Sequence, residues 1–142
     1  SLVILMSPGG KTFNQSISYE LSKNKHLIFV CGHYEGIDDR ILKYIDIELS
    51  IGDFILTGGE IPAMAMSDSI IRLIPGVIRQ ESSENESFNN CLLDYPVYTR
   101  PSEFNGDEVP SVLLSGDHAK IAEWRKNEAL KRTKEKRPDL LK

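Results

Sequence analysis

The sequence predicts an α/β domain built on a parallel β-sheet, and three observations support this prediction. Two short apolar runs, LVILM (2–6) and LIFVC (27–31), are typical of strands that are buried on both faces of a parallel sheet. Apolar residues at helical spacing lie between the two runs. Glycine-containing segments follow the predicted strands, at the edge where open α/β sheets bind their ligands.

The first helix and the segment after the second strand are predicted from apolar spacing. FNQSISYELSK (13–23) places Phe13, Ile17 and Leu21 on one side of a helix, which completes a β-α-β unit with the flanking strands. GIDDRILKYI (36–45) repeats the helical spacing and predicts a second helix.

A third strand and a further helix follow. IDIELSIGDFILTGG (45–59) alternates apolar and polar residues until Gly52 interrupts the pattern, which indicates a strand. EIPAMAMSDSIIRLI (60–74) predicts a helix, because Pro62 is tolerated in a first turn. The elements together predict a layered α/β domain.

The periodic pattern ends in the segment 75–110. RQESSENESFNN (79–90) is rich in polar residues and NGDEVP (105–110) is typical of turns. A stretch of this length without periodicity predicts a linker or a functional loop. Beyond it, a small helical module is predicted from residues that fall roughly along one helical stripe: Ile121, Trp124, Ala129 and Leu130. Trp124 is interpreted as the anchor of that module rather than as a base-stacking platform.

Composition narrows the class of protein. The chain has 142 residues, 40% of them hydrophobic and 27% charged, which is typical of a globular domain with a tail. No segment approaches the roughly 20 continuous apolar residues of a membrane span, so we predict a cytoplasmic protein without membrane contact. Cys31 and Cys91 do not have the spacing of a zinc site, and buried thiols are predicted.

Charge is distributed unevenly along the chain. Residues 1–118 hold eight Lys/Arg against 17 Asp/Glu, whereas residues 119–142 hold nine against four. A basic helix on an acidic protein is suited to contact the phosphate backbone of a nucleic acid. A solvated surface helix with i,i+4 pairs is an equally good interpretation of the charges alone.

Three glycine-containing segments follow the predicted strands: MSPGGK (6–11), CGHYEGID (31–38) and TGGEIP (57–62). They would line one pocket if the strands are parallel, because glycines let backbone amides and carbonyls approach a ligand closely. Each one alone is more often structural punctuation than a ligand site. None fits a P-loop or G-x-G-x-x-G pattern.

Longer motifs carry a resemblance to a known family. CGHYEGID, SIGDFILTGGEIPAM, LLDYPVYTRP and VPSVLLSGDHAKIAEWRKNEALKRT with RPDLL resemble, in order, the bacterial tRNA (guanine-37-N1)-methyltransferase family, a branch of the trefoil-knotted SPOUT methyltransferases. The resemblance extends over essentially the whole chain. It implies that the first third of the family's length and the end of its C-terminal domain are missing from this sequence.

The resemblance implies a SPOUT-type deep trefoil knot with a parallel sheet, followed by a flexible linker and the start of a small helical C-terminal domain. It implies three parts: a knotted catalytic domain (1–78), an interdomain catalytic loop (79–108) and a helical tRNA-binding part (109–142). S-adenosylmethionine would bind in the knot, mostly through backbone groups. The matching positions are Ser7, Pro8, Gly32, Tyr34, Gly36, Ile51, Gly52, Asp53, Phe54, Ile55, Leu56, Gly58, Gly59 and Pro62. Plain core packing is the alternative for Ile51, Phe54 and Leu56.

The family's catalytic residues map onto three positions of this chain. The resemblance implies that Arg72 in DSIIRLIPGV stabilises the guanine oxygen and that Glu35 helps to hold the target guanine. The usual loop acid is aspartate, whereas this chain has Glu86 in ESF, so the added methylene changes the reach of the base. Asp94 or a water is the alternative base. Glu60 is interpreted as favouring the start of its helix.

The resemblance also implies partners: the anticodon stem-loop of tRNA, and a homodimer whose active site is completed across the interface. Magnesium is a further cofactor candidate by resemblance alone. Two other functions are kept as alternatives. One is a SPOUT methyltransferase with another RNA target, and the other is a tRNA-binding module impaired in catalysis.

Overall fold

A parallel three-stranded sheet organises the first part of the chain. The computed structural model describes residues 1–33, 36–78, 88 and 91–141. The chain divides into two units, residues 1–83 and 84–142, which are described separately.

The sheet has the strand order β2-β1-β3 and confirms the predicted α/β class with parallel strands. Its strands are β1 (Leu2–Thr12), β2 (Leu27–Val30) and β3 (Ile47–Ser50). Leu5 in the central strand pairs with Val30 on one side and with Glu48 on the other. All three strands therefore bring their carboxyl ends to the same edge.

The segment Ser7–Gly10 lies within β1, not after it. Met6 and Lys11 both pair with Leu49, so the four residues between them form a bulge. A Cβ on Gly10 would lie 2.5 Å from the backbone nitrogen of Leu49, which explains the glycine at this close return. The predicted strand-to-helix turn at MSPGGK is wrong in this respect, because the chain rejoins β3 before α1 begins.

Two helices cover one face of the sheet. Asn14 caps α1 (Gln15–Ser22) by accepting a hydrogen bond from the Ile17 amide at 3.0 Å. The second helix is α2 (Glu60–Ile71), with Pro62 in its first turn as predicted. Ser18 and Ser69 form a 2.8 Å hydrogen bond where the helices meet. The core comprises Ile4, Met6, Leu21, Leu49, Ala63, Met66 and Ile70.

The predicted helix at 36–45 is a shorter 3₁₀ helix, Asp39–Tyr44. The Asp38 carboxylate accepts from the Arg40 amide at 2.9 Å and fixes the start. Ile45 is already extended, because the chain must enter β3 at Ile47. Too few residues remain between these limits for a longer helix.

The second unit is built around one long helix. It contains the hairpin strands β4 (Glu103–Phe104) and β5 (Asp107–Glu108), the short helix α3 (Ser111–Leu114), α4 (His118–Lys136) and a 3₁₀ turn, Pro138–Leu141. Asn105 and Gly106 both have positive φ, which suits a tight hairpin turn and agrees with the turn predicted there.

The buried face of α4 differs from the predicted stripe at one position. Ile121, Trp124 and Ala129 face inward, as predicted. Leu130 is 37% exposed, because it follows Ala129 by one residue and points about 100° away. Thr133 occupies the inward position one turn after Ala129 and is fully buried.

Thr133 ties the segment before the hairpin to α4. Its hydroxyl donates to the Ala129 carbonyl at 2.7 Å and accepts from the Leu93 amide at 2.8 Å. Arg125 lies 4.8 Å from the centre of the Tyr95 ring, a cation–π contact that holds the same segment. Leu93 and Tyr95 therefore pack on α4. The predicted division of the chain into three parts stays a prediction.

Two further predictions from the sequence concern membrane-spanning helices and the burial of the two cysteines. Within the described residues, no helix combines the length and apolar character that crossing a bilayer requires. Cys31 is half-buried, but Cys91 is exposed, so the prediction of two buried thiols is wrong for Cys91.

We expect Thr133→Val to reduce the free energy of unfolding by about 1–3 kcal/mol, because valine fills the same space but leaves the Leu93 amide without its acceptor. Thr133→Ser keeps the hydroxyl and is the matched control, with an expected loss of about 1 kcal/mol for the missing methyl group. Urea denaturation of the full-length protein measures both. A larger loss for serine than for valine would contradict the role assigned to the hydrogen bond.

Candidate functional site

An open cleft of about 480 Å³ lies at the carboxyl edge of the sheet. Three segments form it: the bulge in β1, the residues after β2 and the loop 51–59 that connects β3 to α2. Parallel strand order brings these segments together, since each follows or interrupts a strand at the same edge.

Most of the residues that the family resemblance assigned to the cofactor line this cleft. Asp53 is the one described member of that set outside the lining, and Tyr34 lies outside the described residues. The lining members of the set are Ser7, Pro8, Gly32, Gly36, Ile51, Gly52, Phe54, Ile55, Leu56, Gly58, Gly59 and Pro62.

The apolar side chains of the cleft are largely exposed. Phe54, Ile55 and Leu56 expose 55%, 79% and 37% of their surface, so folding leaves them available to a ligand. Ile51 is half-buried and packs against the core cluster. Core packing, the alternative considered for this group, therefore describes Ile51 but not Phe54 or Leu56.

The loop after β3 is held by short local hydrogen bonds. The Ser50 hydroxyl donates to the Gly52 carbonyl at 3.1 Å, and the Phe54 amide donates to the same carbonyl at 3.0 Å. A Cβ on Gly52 would lie 2.8 Å from the Phe54 ring. The glycine thus gives the ring its place over the loop.

Gly58 and Gly59 differ in what surrounds them. The Gly59 amide donates to the Gly32 carbonyl at 3.0 Å, and a Cβ there would lie 2.9 Å from the Cα of Cys31 and 3.0 Å from the Cβ of Met6. At Gly58 the nearest atoms belong to the side chains of His33 and Glu60. Gly59 is therefore required by packing between α2 and the sheet, whereas Gly58 leaves room for two polar side chains.

Ionisable groups stand on one side of the cleft. Asp38, Asp39 and Glu48 line it, and Arg40 lowers the pKa of Asp38 below its ordinary value by hydrogen bonding to the carboxylate. The pKa of Glu60 is also lowered, mainly because its own backbone amide donates to the carboxylate and then because His33 does so. No group of three or more His, Cys, Asp or Glu side chains within the described ranges is arranged to hold a metal ion.

Of the three predicted catalytic residues, Arg72 alone lies in the described part of the chain. Glu35 and Glu86 lie outside the described residues. Arg72 caps the carboxyl end of α2, whereas Gly59 and Pro62 at the opposite end line the cleft. A 12-residue helix is about 18 Å long, so Arg72 stands far from the cleft of its own chain. Asp94, the alternative base, belongs to the second unit.

Sequence reasoning missed part of the lining. Ile37, Ile41 and Leu42 border the cleft, whereas the spacing of Ile37 and Ile41 had predicted only a helix. His33 also lines it. Its position inside the motif CGHYEGID was the signal that could have identified it, because the flanking residues had already been assigned to the site.

The fold and the cleft define an α/β protein with an open cleft at the carboxyl edge of a parallel sheet. Comparison with known families narrows this class. The family model described as "tRNA (Guanine-1)-methyltransferase TrmD" matches residues 1–142. The chain belongs to this family.

Curated relatives agree with that assignment. Proteins named tRNA (guanine-N(1)-)-methyltransferase are 60% identical over 141 residues in Endomicrobium trichonymphae and 62% identical over 140 residues in Mycoplasmopsis pulmonis. The Thermotoga maritima protein of the same name is 57% identical over 138 residues. The matches cover 97–99% of this chain but only 56–62% of these relatives' lengths.

We expect Gly59→Ala to reduce the free energy of unfolding by about 1–3 kcal/mol, because the new methyl group would press on the Cys31 backbone and on Met6. Gly58→Ala is the matched control: the same atoms are added, but they meet side-chain ends that can rotate, so the expected loss is below about 1 kcal/mol. Urea denaturation of the full-length variants measures the difference. Equal losses would refute the packing role of Gly59.

Proposed function

We propose that this chain supplies the S-adenosylmethionine site and part of the tRNA-binding surface of an enzyme that methylates N1 of guanosine at position 37, next to the anticodon. One observation carries the proposal: most of the family's cofactor positions line a single cleft. The family model matches residues 1–142 of this chain. The printed names of the relatives support the reaction.

The cleft fits the cofactor in size and chemistry. Ligand pockets commonly measure about 300–1,000 Å³, and the cleft falls in that range. Gly32 and Gly58 are half-buried and present backbone to the cleft that can read the edge of an adenine, while Phe54 and Leu56 supply apolar walls. The bound cofactor supplies a methyl group carried on a positively charged sulfur. Family membership supports a bent binding mode within a deep trefoil knot.

The reaction requires that guanine N1 lose its proton before or during methyl transfer. In the proposal, the Glu86 carboxylate accepts this proton, N1 forms a bond to the methyl carbon, and the bond from that carbon to sulfur breaks to leave adenosylhomocysteine. Negative charge that develops toward O6 is stabilised by the Arg72 guanidinium, which stays charged and offers fixed donors. The Glu35 carboxylate would help to hold the guanine by accepting a hydrogen bond from its N2 amino group.

The position of Arg72 supports a homodimer. Arg72 lies at the end of α2 that points away from its own cleft, so its proposed role requires the cleft of a second copy. The outer face of α2 also carries three exposed apolar side chains at helical spacing, Ile61, Met64 and Ile71. A second copy that covers this face would bury them and bring each Arg72 toward the partner's site.

The outer face of α4 supports contact with the tRNA backbone. Several lysines of this helix are exposed, and one of them, Lys120, pairs with Asp117 at 3.2 Å. They include Lys120, Lys126, Lys131 and Lys134. Flexible lysine side chains on a rigid helix are suited to pair with the phosphates of a nucleic acid. This pairing releases the counterions that were bound to the phosphates. We assign this face to the anticodon stem.

Magnesium and the cytoplasmic location stay predictions from the resemblance and the composition. The described residues offer no metal-binding group, and no step of the reaction is assigned to a metal ion.

The central test is methylation of a tRNA transcript with guanosine at position 37 by the full-length protein. The expected product is N1-methylguanosine at that position, identified by mass spectrometry of nuclease fragments. Arg72→Ala and Glu86→Gln are each expected to reduce kcat by about 10²–10³-fold, the range for loss of a charge-stabilising or proton-accepting group. Lys25→Ala is the control, since Lys25 is an exposed cation of the first unit that does not line the cleft.

The outcomes separate the proposal from its alternatives. Methylation of another nucleotide would favour a different RNA target. Cofactor and tRNA binding without methylation would favour the binding module. If Glu86→Gln is fully active, Glu86 is not the base, and that role falls to Asp94 or to a water.

A second prediction concerns the α4 face. The double variant Lys131→Gln/Lys134→Gln is expected to weaken tRNA binding and to lower the slope of log affinity against log salt by about one for each lost phosphate contact. The control is Lys23→Gln/Lys25→Gln in the first unit, which removes the same charge. Filter binding at several salt concentrations measures both. An unchanged slope for the α4 variant would return this helix to a solvated surface role.

A further inference from the structure

We propose that His33 and Glu60 are positioning residues of the cleft: their pair holds residues 31–33 against the start of α2 in the arrangement that the cofactor requires. The proposal rests on the proposed function of the cleft as the S-adenosylmethionine site. His33 lines the cleft, whereas Glu60 stands behind it and acts through the imidazole.

A backbone contact and a side-chain contact join the two segments. His33 and Gly58 form an isolated antiparallel bridge, which includes the hydrogen bond from the Gly59 amide to the Gly32 carbonyl at 3.0 Å. The side-chain contact is the hydrogen bond between Nε2 of His33 and the Glu60 carboxylate. The side-chain pair therefore reinforces an isolated backbone bridge.

The chemistry of the pair assigns the donor. The Glu60 pKa is lowered by its own amide and by His33, so its carboxylate is ionised at neutral pH and only accepts hydrogen bonds. Nε2 of His33 must consequently carry the hydrogen. This fixes the ring orientation at the base of the turn in which the Gly36 amide donates to the His33 carbonyl at 3.4 Å.

Gly58 gives the pair its space. A Cβ at this position would lie 2.5 Å from Oε2 of Glu60 and 2.7 Å from Cε1 of His33. Any side chain on Gly58 would therefore push the two partners apart. The pair is half-exposed, at 48% and 51% of side-chain surface, and such pairs contribute little to global stability. Its effect is expected on local order and ligand affinity.

The first arm of the test needs no ligand. Amide hydrogen exchange of segment 31–38 in the free full-length protein is expected to become about three- to fivefold faster in His33→Asn and in Glu60→Gln, in line with a half-exposed pair. Glu20→Gln is the matched control, because it removes an exposed carboxylate from the Lys23 pair on α1. Exchange that is unchanged in both cleft variants overturns the positioning role.

The second arm measures S-adenosylmethionine affinity by calorimetry. Each single variant is expected to bind about three- to fivefold more weakly, and the double variant no more weakly than either single one, because the two side chains act as one unit. His33→Arg is expected to restore the affinity, since a guanidinium also donates to Glu60. Multiplying losses in the double variant, or an arginine variant as weak as asparagine, contradicts the proposal.

The two arms distinguish this proposal from the proposed function. If the unaltered protein does not bind S-adenosylmethionine, the proposed function fails and the cofactor role of the pair fails with it. If the unaltered protein binds and all pair variants bind equally well, the positioning proposal alone is overturned.

Discussion

Gly59 sits where the three segments of the cleft converge. Its amide is bonded to Gly32, and its missing side chain lets α2 approach Cys31 and Met6 within van der Waals distance. Met6 immediately precedes the bulge in β1, and Cys31 immediately follows β2. One buried glycine therefore sets the distances between the three segments that form the cleft. Closeness of this kind is available only to a residue without a Cβ.

The helix that starts at Gly59 links the cleft to the outer surface. Its inner face, with Met66 and Ile70, completes the core, and its first turn borders the cleft. Its far end carries Arg72. Because a helix is rigid over three turns, it keeps Arg72 at a fixed distance from the proposed cofactor cleft within one chain. A catalytic role for Arg72 thus makes assembly of two chains a requirement of the chemistry.

Elements were predicted correctly where the residue pattern is compatible with one structure only. They were missed where the pattern is compatible with two structures. Apolar runs in β1 and β2 and the start of α2 were predicted because burial and helix entry restrict composition strongly. The residues of MSPGGK suit a turn and a bulge equally, and only pairing of Met6 and Lys11 with the same Leu49 decides between them. Leu130 lies about 100° around α4 from Ala129, so the helical period itself excludes it from the inward stripe, whereas Thr133 was missed because a polar residue gives no apolar signal. The cleft set came from the family resemblance, whereas the partner of His33 lies 27 residues away and requires the fold.

In the proposed cofactor site, backbone and side chains would contribute differently to binding. Glycine-rich segments present amides and carbonyls in fixed positions, which favours recognition of a hydrogen-bonding edge but contributes little net free energy for each bond. Phe54 and Ile55 remain more than half exposed, and covering such apolar surface gives about 25 cal/mol for each Å² removed from water. Affinity should therefore come mainly from the loop after β3 and selectivity from the glycines. Holding the segment after β2 in place then decides whether both can act on the same ligand.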